Sequence, residues 1–380
     1  MTTYQRLGDH IREVNVRNRD LKVTNLLGVN LSKQFFPSIA NIIGTDLSKY
    51  KVIRKGQFGC KFMSVGRDGI LPISIMKDDE PAIISSAYYV FEVKDENVLL
   101  PDYLMMWLRR PGFDRQLAFY AGADVRGGVN YDDFCEMPIF IPTIDRQREI
   151  VAEYETLSNR IRLNERMIEK LEATAQALYR KMFVDGVDME HLPEGWRRGK
   201  LGEICEINPR LKPMQNNEIP FVDMDALPTT GYYIRSIQKR EFSSGMKFEN
   251  GDVLFARITP CMENGKAAIV SDIPNGEVAF GSTEFIVLRG KKQKLTSLLA
   301  TLVRTKEFRE YAKSQMKGTD GRQRVDHEAL KHFEMILPND LLLNKLESDL
   351  TQLYSLSYMK SKENSKLTEL QSLLLARMGK

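Results

Sequence analysis

A chain of 380 residues is long enough for two domains of ordinary size, each with its own hydrophobic core. Its 42% hydrophobic and 28% charged residues are typical of a folded globular protein and exclude general disorder, and no stretch reaches the ~20 consecutive apolar residues of a membrane-spanning helix. The formal charge of +4 does not by itself indicate a nucleic-acid-binding protein. The residues after Met1 lack the layout of a secretory leader, and the four cysteines are widely spaced, so we expect a cytoplasmic protein with reduced thiols.

The sequence contains an internal repeat. Leu7–Asp9 returns as Leu201–Glu203, with an isoleucine, an acid and an asparagine following in both copies. At an offset of 196 residues a Gly-x-Asp-x-Arg loop occurs twice, as Gly122, Asp124 and Arg126 and as Gly318, Asp320 and Arg322. A repeat of this length predicts two copies of one architecture.

Each copy begins with a segment rich in strand-forming residues, at 82–91 and at 253–257. A helix is predicted next, around Tyr103 to Leu108 and from Leu298 to Ala312. A glycine-containing loop and a short apolar strand follow, ending at Pro142 or Pro338. Both copies are therefore predicted to be mixed α and β domains.

Beyond each apolar strand the hydrophobic period changes from two residues to three and a half, which is typical of a coiled-coil helix. Because a whole domain separates the two helices, we expect an antiparallel pair with one head at each end. Polar residues such as Asn164 within the apolar seam are expected to fix register and partner choice. The predicted interface consists of Ile150, Leu157, Ile161, Asn164, Ile168, Leu171, Leu178, Leu346, Leu350, Leu353, Leu367 and Leu374.

The sequence thus predicts an α+β protein with two pseudo-repeated mixed domains and an antiparallel pair of long coiled-coil helices. The predicted boundaries are a first head at 1–145, a central helix at 146–183, a linker at 184–198, a second head at 199–340 and a distal helix at 341–380.

Patterns for catalysis are weak. No phosphate-binding G-x-x-x-x-G-K-[ST] loop, methyltransferase Asn-Pro-Pro-aromatic motif or C-x-x-C pair is present, and the four histidines are scattered. Asp79 followed by Glu92 and Lys94 loosely resembles a Mg²⁺ nuclease pattern, but an ordinary charged strand end explains it as well. We therefore expect no catalytic or metal site in this chain.

Four motifs resemble the specificity subunits of type I restriction-modification systems. They are the Leu192–Trp196 linker, the Gly251–Arg257 run, Ile141–Pro142 ahead of Arg146–Ile150, and the order head, helix, head, helix. The proline-rich signature that precedes the helix in that family is reduced here to 141–147 in the first copy and 337–340 in the second.

This resemblance implies a non-catalytic subunit that binds double-stranded DNA. Each head would read one half of an asymmetric, bipartite target, while the helices set the spacing and dock two modification (methyltransferase) subunits and, through them, restriction (endonuclease) subunits. The resemblance also implies no cofactor on this chain, with S-adenosylmethionine, ATP and Mg²⁺ on the partner subunits.

DNA contacts are expected from cationic and directional polar side chains in the loops of both heads. Arg126 and Arg322 lie in the matching glycine loops, although Asp124 and Asp320 could instead hold them in loop salt bridges. The tyrosines near Ser86 could equally be core residues. The full predicted set is Lys61, Arg67, Ser86, Tyr88, Arg126 and Asn130 in the first head, and Arg257, Thr259, Lys266, Thr283, Glu284, Arg322 and Arg324 in the second.

Two other functions remain open at this stage. The chain could be an assembly protein whose helices join other components and whose heads bind protein. It could also be a stand-alone nuclease that uses Asp79, Glu92 and Lys94. Duplicated heads with basic, glycine-bearing loops favour DNA binding.

Overall fold

A computed structural model describes residues 4–38, 44–123, 129–185, 187–188, 190–212, 218–274, 276–291, 295–319 and 323–378. The chain divides into two compact units, Met1–Arg160 with Lys366–Lys380, and Ile161–Ser365. Each unit contains one head and parts of both long helices.

The core of the first head is built on a four-stranded antiparallel sheet. Its strands lie in the order Ile11–Glu13, Tyr89–Val93, Phe58–Cys60 and Ile73–Ile75. Phe58 and Phe91 pair across adjacent strands, with stacked rings 4.8 Å apart and both side chains fully buried. Such cross-strand aromatic pairs stabilise the sheet beyond the area they bury.

Smaller elements surround this sheet. Three two-stranded pairs are Tyr4–Arg6 with Pro138–Phe140, Leu27–Val29 with Phe35–Pro37, and Lys51–Ile53 with Ala82–Ile84. The α-helices of the head are Val65–Asp68, Pro101–Leu108, Pro111–Ala123 and Tyr131–Cys135, and the 3₁₀ helices are Leu7–Asp9, Leu47–Lys49 and Phe62–Ser64.

The predicted strand-forming segment 82–91 contributes to two strands in different sheets, Ala82–Ile84 and Tyr89–Val93. The chain turns at Ser85, whose carbonyl accepts a hydrogen bond from Tyr88 N at 3.0 Å. This turn passes the chain from the outer pair to the central sheet, so that Ile84 and Phe91 are both fully buried.

The second head repeats the same strand order. Its central sheet runs Cys205–Ile207, Phe285–Gly290, Val253–Ala256 and Ala267–Ile269, again antiparallel throughout. The remaining strands are Gln238–Arg240, Ile219–Val222, Ala279–Gly281 and Met246–Phe248 in a second sheet, Arg197–Lys200 with Glu334–Leu337, and Met316–Lys317 with Arg324–Val325. The sequence repeat is therefore a structural repeat, and the predicted α+β class with two related heads is confirmed.

The helical part of the second head differs from the prediction of one helix from Leu298 to Ala312. Thr296–Leu302 and Lys306–Ser314 are separate helices, because Thr305 is extended and its hydroxyl accepts a hydrogen bond from Phe308 N at 3.2 Å. A threonine cap of this kind begins a new helix. The remaining helices are Leu201–Ile204 and the 3₁₀ segments Met224–Ala226 and Ala329–His332.

The two long helices are Ile144–Phe183, the central helix, and Asp340–Arg377, the distal helix. In the first unit, Ile150 and Tyr154 belong to the same apolar cluster as Leu375 and Met378. In the second unit, the clustered residues are Ala175, Tyr179 and Phe183 on the central helix and Leu343, Leu346, Leu350 and Tyr354 on the distal helix. Gln371 on the distal helix also donates a hydrogen bond to Ser158, and Asn164 donates one to Asn364, so the two segments run antiparallel within each unit.

The predicted helix interface lies away from solvent along its whole length. Buried members are Ile150, Asn164, Ile168, Leu346 and Leu350, and half-buried ones are Leu157, Ile161, Leu171, Leu178, Leu353, Leu367 and Leu374. In the last turns of the central helix, Tyr179 and Phe183 are more deeply buried than Leu178 and Met182, because they pack into the core of the second head.

Candidate nucleic-acid interface

In the first head, three of the predicted residues lie around the turn that follows Ile84. The Lys61 ammonium lies 5.8 Å from the centre of the Tyr88 ring, which is within the range of a cation–π interaction. The Tyr88 hydroxyl accepts a hydrogen bond from Val29 N at 3.2 Å, and Ser86 is exposed at the apex of the turn. The fold thus places Lys61, which follows one central strand, near Ser86 and Tyr88, which precede another.

The other predicted residues of this head have separate surroundings. Arg67 is exposed and pairs with Asp68 next to it, at 2.8 Å. Asn130 caps the helix Tyr131–Cys135, where its side chain accepts a hydrogen bond from Asp133 N at 2.9 Å while Asp133 accepts one from Asn130 N. That capping box gives Asn130 a structural role beside any contact with DNA. Arg126 and Asp124 lie outside the described residues.

In the second head, the fold brings together three predicted residues that are far apart in sequence. Arg324 Nε and Nη2 donate to the Glu284 carboxylate at 2.7 to 3.0 Å. Arg257 N donates to the Glu284 backbone carbonyl at 2.9 Å, and Val325 N donates to the Arg257 carbonyl at 2.9 Å. Backbone hydrogen bonds therefore connect the segments that carry Arg257, Glu284 and Arg324.

The charges within this group interact directly. The hydrogen bond and the negative charge of Glu284 raise the pKa of Arg324 above its ordinary value. Arg257 Nε is buried and has no hydrogen-bond partner among the described residues, which is a costly arrangement for a charged donor. A carboxylate that accepts hydrogen bonds from Nε and Nη2 of an arginine fixes the plane of its guanidinium group. The remaining N–H groups of such a guanidinium group can donate hydrogen bonds to base edges.

The Gly-x-Asp-x-Arg loop of the second head connects the two strands of a short hairpin, Met316–Lys317 and Arg324–Val325. Gly318 has a φ of +118°, which favours glycine at the start of the loop. Arg322 and Asp320 lie outside the described residues, so the predicted Arg322 contact and the alternative salt bridge both stay predictions.

Thr283 is exposed beside Glu284, and Thr259 is half-buried two residues after Arg257. Lys266 Nζ pairs with Asp225 at 3.1 Å and donates to the Met224 carbonyl at 3.2 Å. Gly265, next to Lys266, has a φ of +73°, so Asn264–Ala267 is a turn leading into a strand.

The sequence did not indicate Arg309, whose side chain also lies beside this turn. Arg309 Nη1 lies within hydrogen-bond reach of the Glu263 carbonyl at 3.5 Å, and Lys313 pairs with the Glu263 carboxylate at 2.7 Å. Both come from the helix Lys306–Ser314, and only the tertiary fold places that helix against the loop.

The basic run between Leu47 and Arg67 is partly neutralised by residues outside it. Lys51 is buried, with Glu13 at 3.8 Å, and burial lowers the pKa of its ammonium. Lys49 pairs with Asp46, and Lys55 pairs with Asp79 at 2.6 Å. Arg289 similarly pairs with Asp252 at 2.7 Å in the second head. Lys51 is therefore buried, whereas Lys49, Lys55 and Arg67 are exposed and each pairs with a carboxylate.

The residues of the nuclease-like pattern each have a different partner. Asp79 pairs with Lys55, Glu92 pairs with Arg12 at 2.7 Å, and Lys94 Nζ donates to the Gly8 carbonyl at 2.9 Å. Among the described residues, no group of three or more histidines, cysteines or acids is arranged to hold a metal ion. Nor does any helix in the described part of the chain have the length and apolar character needed to cross a membrane.

Comparison with known proteins gives concordant results. Residues 193–369 match the family model of the type I restriction modification DNA specificity domain. The specificity subunits of the Escherichia coli type I restriction enzymes EcoAI and EcoEI are 36% and 33% identical to this chain over 140 and 153 residues, or 35% and 39% of its length.

The matched stretches cover 24% and 26% of those two relatives. The fold is similar to that of the S subunit of a type I restriction-modification system from M. genitalium, with a TM-score of 0.57 and 14% identity over 99% of this chain and 95% of that one. Residues 193–369 of the chain are therefore similar to the DNA specificity domain of type I restriction-modification systems.

Proposed function

We propose that this chain is the DNA-reading subunit of a type I restriction-modification complex and has no catalytic centre of its own. Each head reads one half of a bipartite site in double-stranded DNA. The observation that carries the proposal is the Glu284–Arg324 ion pair, connected by backbone hydrogen bonds to Arg257, in a head that lies inside the matched specificity domain.

Two features of the chain support a split and asymmetric target. The central sheets of both heads have the same strand order, so the loops at the ends of these strands are placed in the same way. Their loop residues differ, since the second head has a Glu–Arg pair where the first has Lys61 beside Tyr88. Different side chains present different hydrogen-bonding patterns to base edges.

The long helices are proposed to hold the heads at a set separation and to dock two modification subunits, which in turn bind restriction subunits. Exposed apolar residues on both helices support a role in docking, among them Leu163, Met167, Met359, Leu370 and Leu373. S-adenosylmethionine, ATP and Mg²⁺ are assigned by this proposal to the partner subunits.

The test is to express this chain with a type I modification subunit in cells without other DNA methylation and to sequence the methylated sites. The proposal predicts methylation at one split motif with unlike halves. The modification subunit is also expressed with its own specificity subunit, as a control for its activity. If that control methylates DNA and this chain directs no motif, the assembly role replaces the DNA-reading role.

A further inference from the structure

A pocket on the surface of the first head is lined by three cationic and two hydroxyl side chains. These are Arg17, Arg19, Lys49, Ser48 and Ser86. Arginine, lysine and serine are the side chains that most often contact the phosphates of nucleic acids.

The cations of this pocket are held on a rigid part of the head. The segment Val16–Asn18 runs beside Tyr50–Val52, with Val52 N donating to the Val16 carbonyl at 2.8 Å and Asn18 N to the Tyr50 carbonyl at 3.0 Å. The Arg17 guanidinium donates to the Lys49 carbonyl at 2.5 Å. Asn18 is buried and its side chain bonds both backbone groups of Val23, which closes the turn that carries Arg19.

The positive charge of the pocket exceeds its negative charge. Asp46 pairs with Lys49 at 3.4 Å, and its carboxylate also accepts hydrogen bonds from the backbone and hydroxyl of Ser48. Neither Arg17 nor Arg19 has a carboxylate partner among the described residues. The two guanidinium groups are therefore available to an anion.

We propose that this pocket binds one phosphate of the DNA backbone beside the half-site read by the first head, an inference that rests on the proposed function. Ser86 lines the pocket and lies two residues from Tyr88, so the phosphate site adjoins the predicted base contacts. In the second head, the strand Met246–Phe248, which matches Lys51–Ile53, follows Ser243–Gly245 and has no cation at the place of Lys49.

The experiment uses the complete complex with modification subunits and compares the unmodified chain with Arg19→Gln, Lys49→Gln and the double variant. Arg17 is left in place because it supports the Lys49 backbone. Fluorescence anisotropy measures the affinity of each complex for two DNA duplexes at several salt concentrations. One duplex contains the motif identified by methylation sequencing, and in the other the first half-site of that motif is scrambled. Arg148→Gln, which removes the same charge from an exposed position of the central helix, is the matched control.

Loss of one phosphate contact is expected to reduce the slope of log affinity against log salt by about 0.9. The double variant should bind both duplexes several-fold more weakly and to the same extent, while the control changes neither value. Unchanged slopes in a complex that still discriminates the motif would overturn the phosphate site and leave the proposed function intact. Failure of the unmodified complex to discriminate the motif would overturn the proposed function itself.

Two further results would show that the pocket binds something other than a phosphate of the DNA backbone. A loss confined to the methylated motif would assign the pocket to base reading and overturn the phosphate proposal. Inorganic phosphate is also titrated into the DNA-free complex by calorimetry. Phosphate binding that the double variant abolishes, together with an unchanged DNA salt slope, would make the pocket a site for free anions and equally overturn the proposal.

Discussion

Asn164 Nδ2 donates a hydrogen bond of 2.8 Å to Asn364 Oδ1, joining the central and distal helices within the second unit. Asn164 is 2% exposed, in a seam whose other buried positions on the central helix are mainly apolar. A slip of either helix would separate the two amides and leave a buried polar group unpaired, which favours one register.

Replacing Asn364 by Leu removes the acceptor while Asn164 stays buried. We expect the free energy of unfolding to fall by about 1–3 kcal/mol, the cost of an unpaired buried polar group. The double replacement Asn164→Leu with Asn364→Leu should recover most of this loss, because neither amide of the pair is then left buried without the other. Urea denaturation of the two single variants and the double variant measures the coupling, and additive losses would contradict a paired role.

The ion pair between Glu172 and Arg304 attaches the central helix to the second head. Arg304 Nη1 lies 2.6 Å from the Glu172 carboxylate, the Arg304 guanidinium packs 4.3 Å from the centre of the Tyr232 ring, and Arg304 Nη2 donates to the Ala267 carbonyl at 2.8 Å. The Arg304 side chain is 5% exposed and that of Glu172 is 17% exposed.

Glu172→Ala should therefore lower the free energy of unfolding by roughly 3–5 kcal/mol, because it leaves a buried charge without its partner. Glu169→Ala makes the same change at an exposed position of the same helix and should alter stability by less than about 0.5 kcal/mol. Thermal and urea denaturation of both variants provide the comparison. Similar stabilities of the two variants would show that the pair does not anchor the helix.

A second attachment, between Asp272 and the distal helix, depends on pH. Burial acts to raise the pKa of Asp272, but hydrogen bonds from Lys362 and Tyr358 outweigh it and hold the pKa below the ordinary value of 3.8. Because the folded-state pKa lies below the unfolded-state pKa, this contribution to stability is present above about pH 4 and is lost as the pH falls through the folded-state pKa.

The difference in unfolding free energy between the unmodified chain and Asp272→Asn should therefore be constant from pH 5 to pH 7 and shrink below about pH 4. Urea denaturation across this pH range measures the difference. A difference in unfolding free energy that stays constant down to pH 3 would mean that the Asp272 carboxylate is not stabilised by its partners.

Arg324 lies next to the loop of Arg322, and both are predicted to read bases. Arg324→Ala should weaken binding by about 1–3 kcal/mol for a duplex with the correct second half-site, and should have little effect once that half is scrambled. Arg322→Ala is expected to behave in the same way. Arg197→Ala, which removes an exposed arginine paired with Glu203, is the control. Equal weakening on all duplexes would indicate phosphate contacts instead.

The sequence predicted the repeat because the same motifs recur at a fixed offset, and it predicted the two long helices because a coiled-coil pattern is a local periodicity. It did not predict the break at Thr305, although threonine three residues before Phe308 is a capping signal that a continuous apolar pattern concealed. The turn at Ser85 was hidden in the same way, because both flanking strands are apolar and buried.

Contacts between residues that are far apart in the chain could not be predicted from a single sequence. Lys51 belongs to a run of cations between Leu47 and Arg67 that contains no acid, and only the fold places Glu13 and the Tyr89 ring beside it. Arg257, Glu284 and Arg324 were predicted individually as DNA contacts, yet their hydrogen-bonded arrangement depends on pairing between remote strands. Arg309 gave no signal, since helix residues show no pattern for a contact with a distant turn.

The central claim is that each head reads its own half of the target. Exchanging the second head, 199–340, for that of a related specificity subunit and sequencing the methylated sites tests it most directly. The account predicts that one half of the motif changes to that of the donor, while the other half and the spacing stay the same. A motif in which both halves change, or in which neither does, would contradict two independent readers.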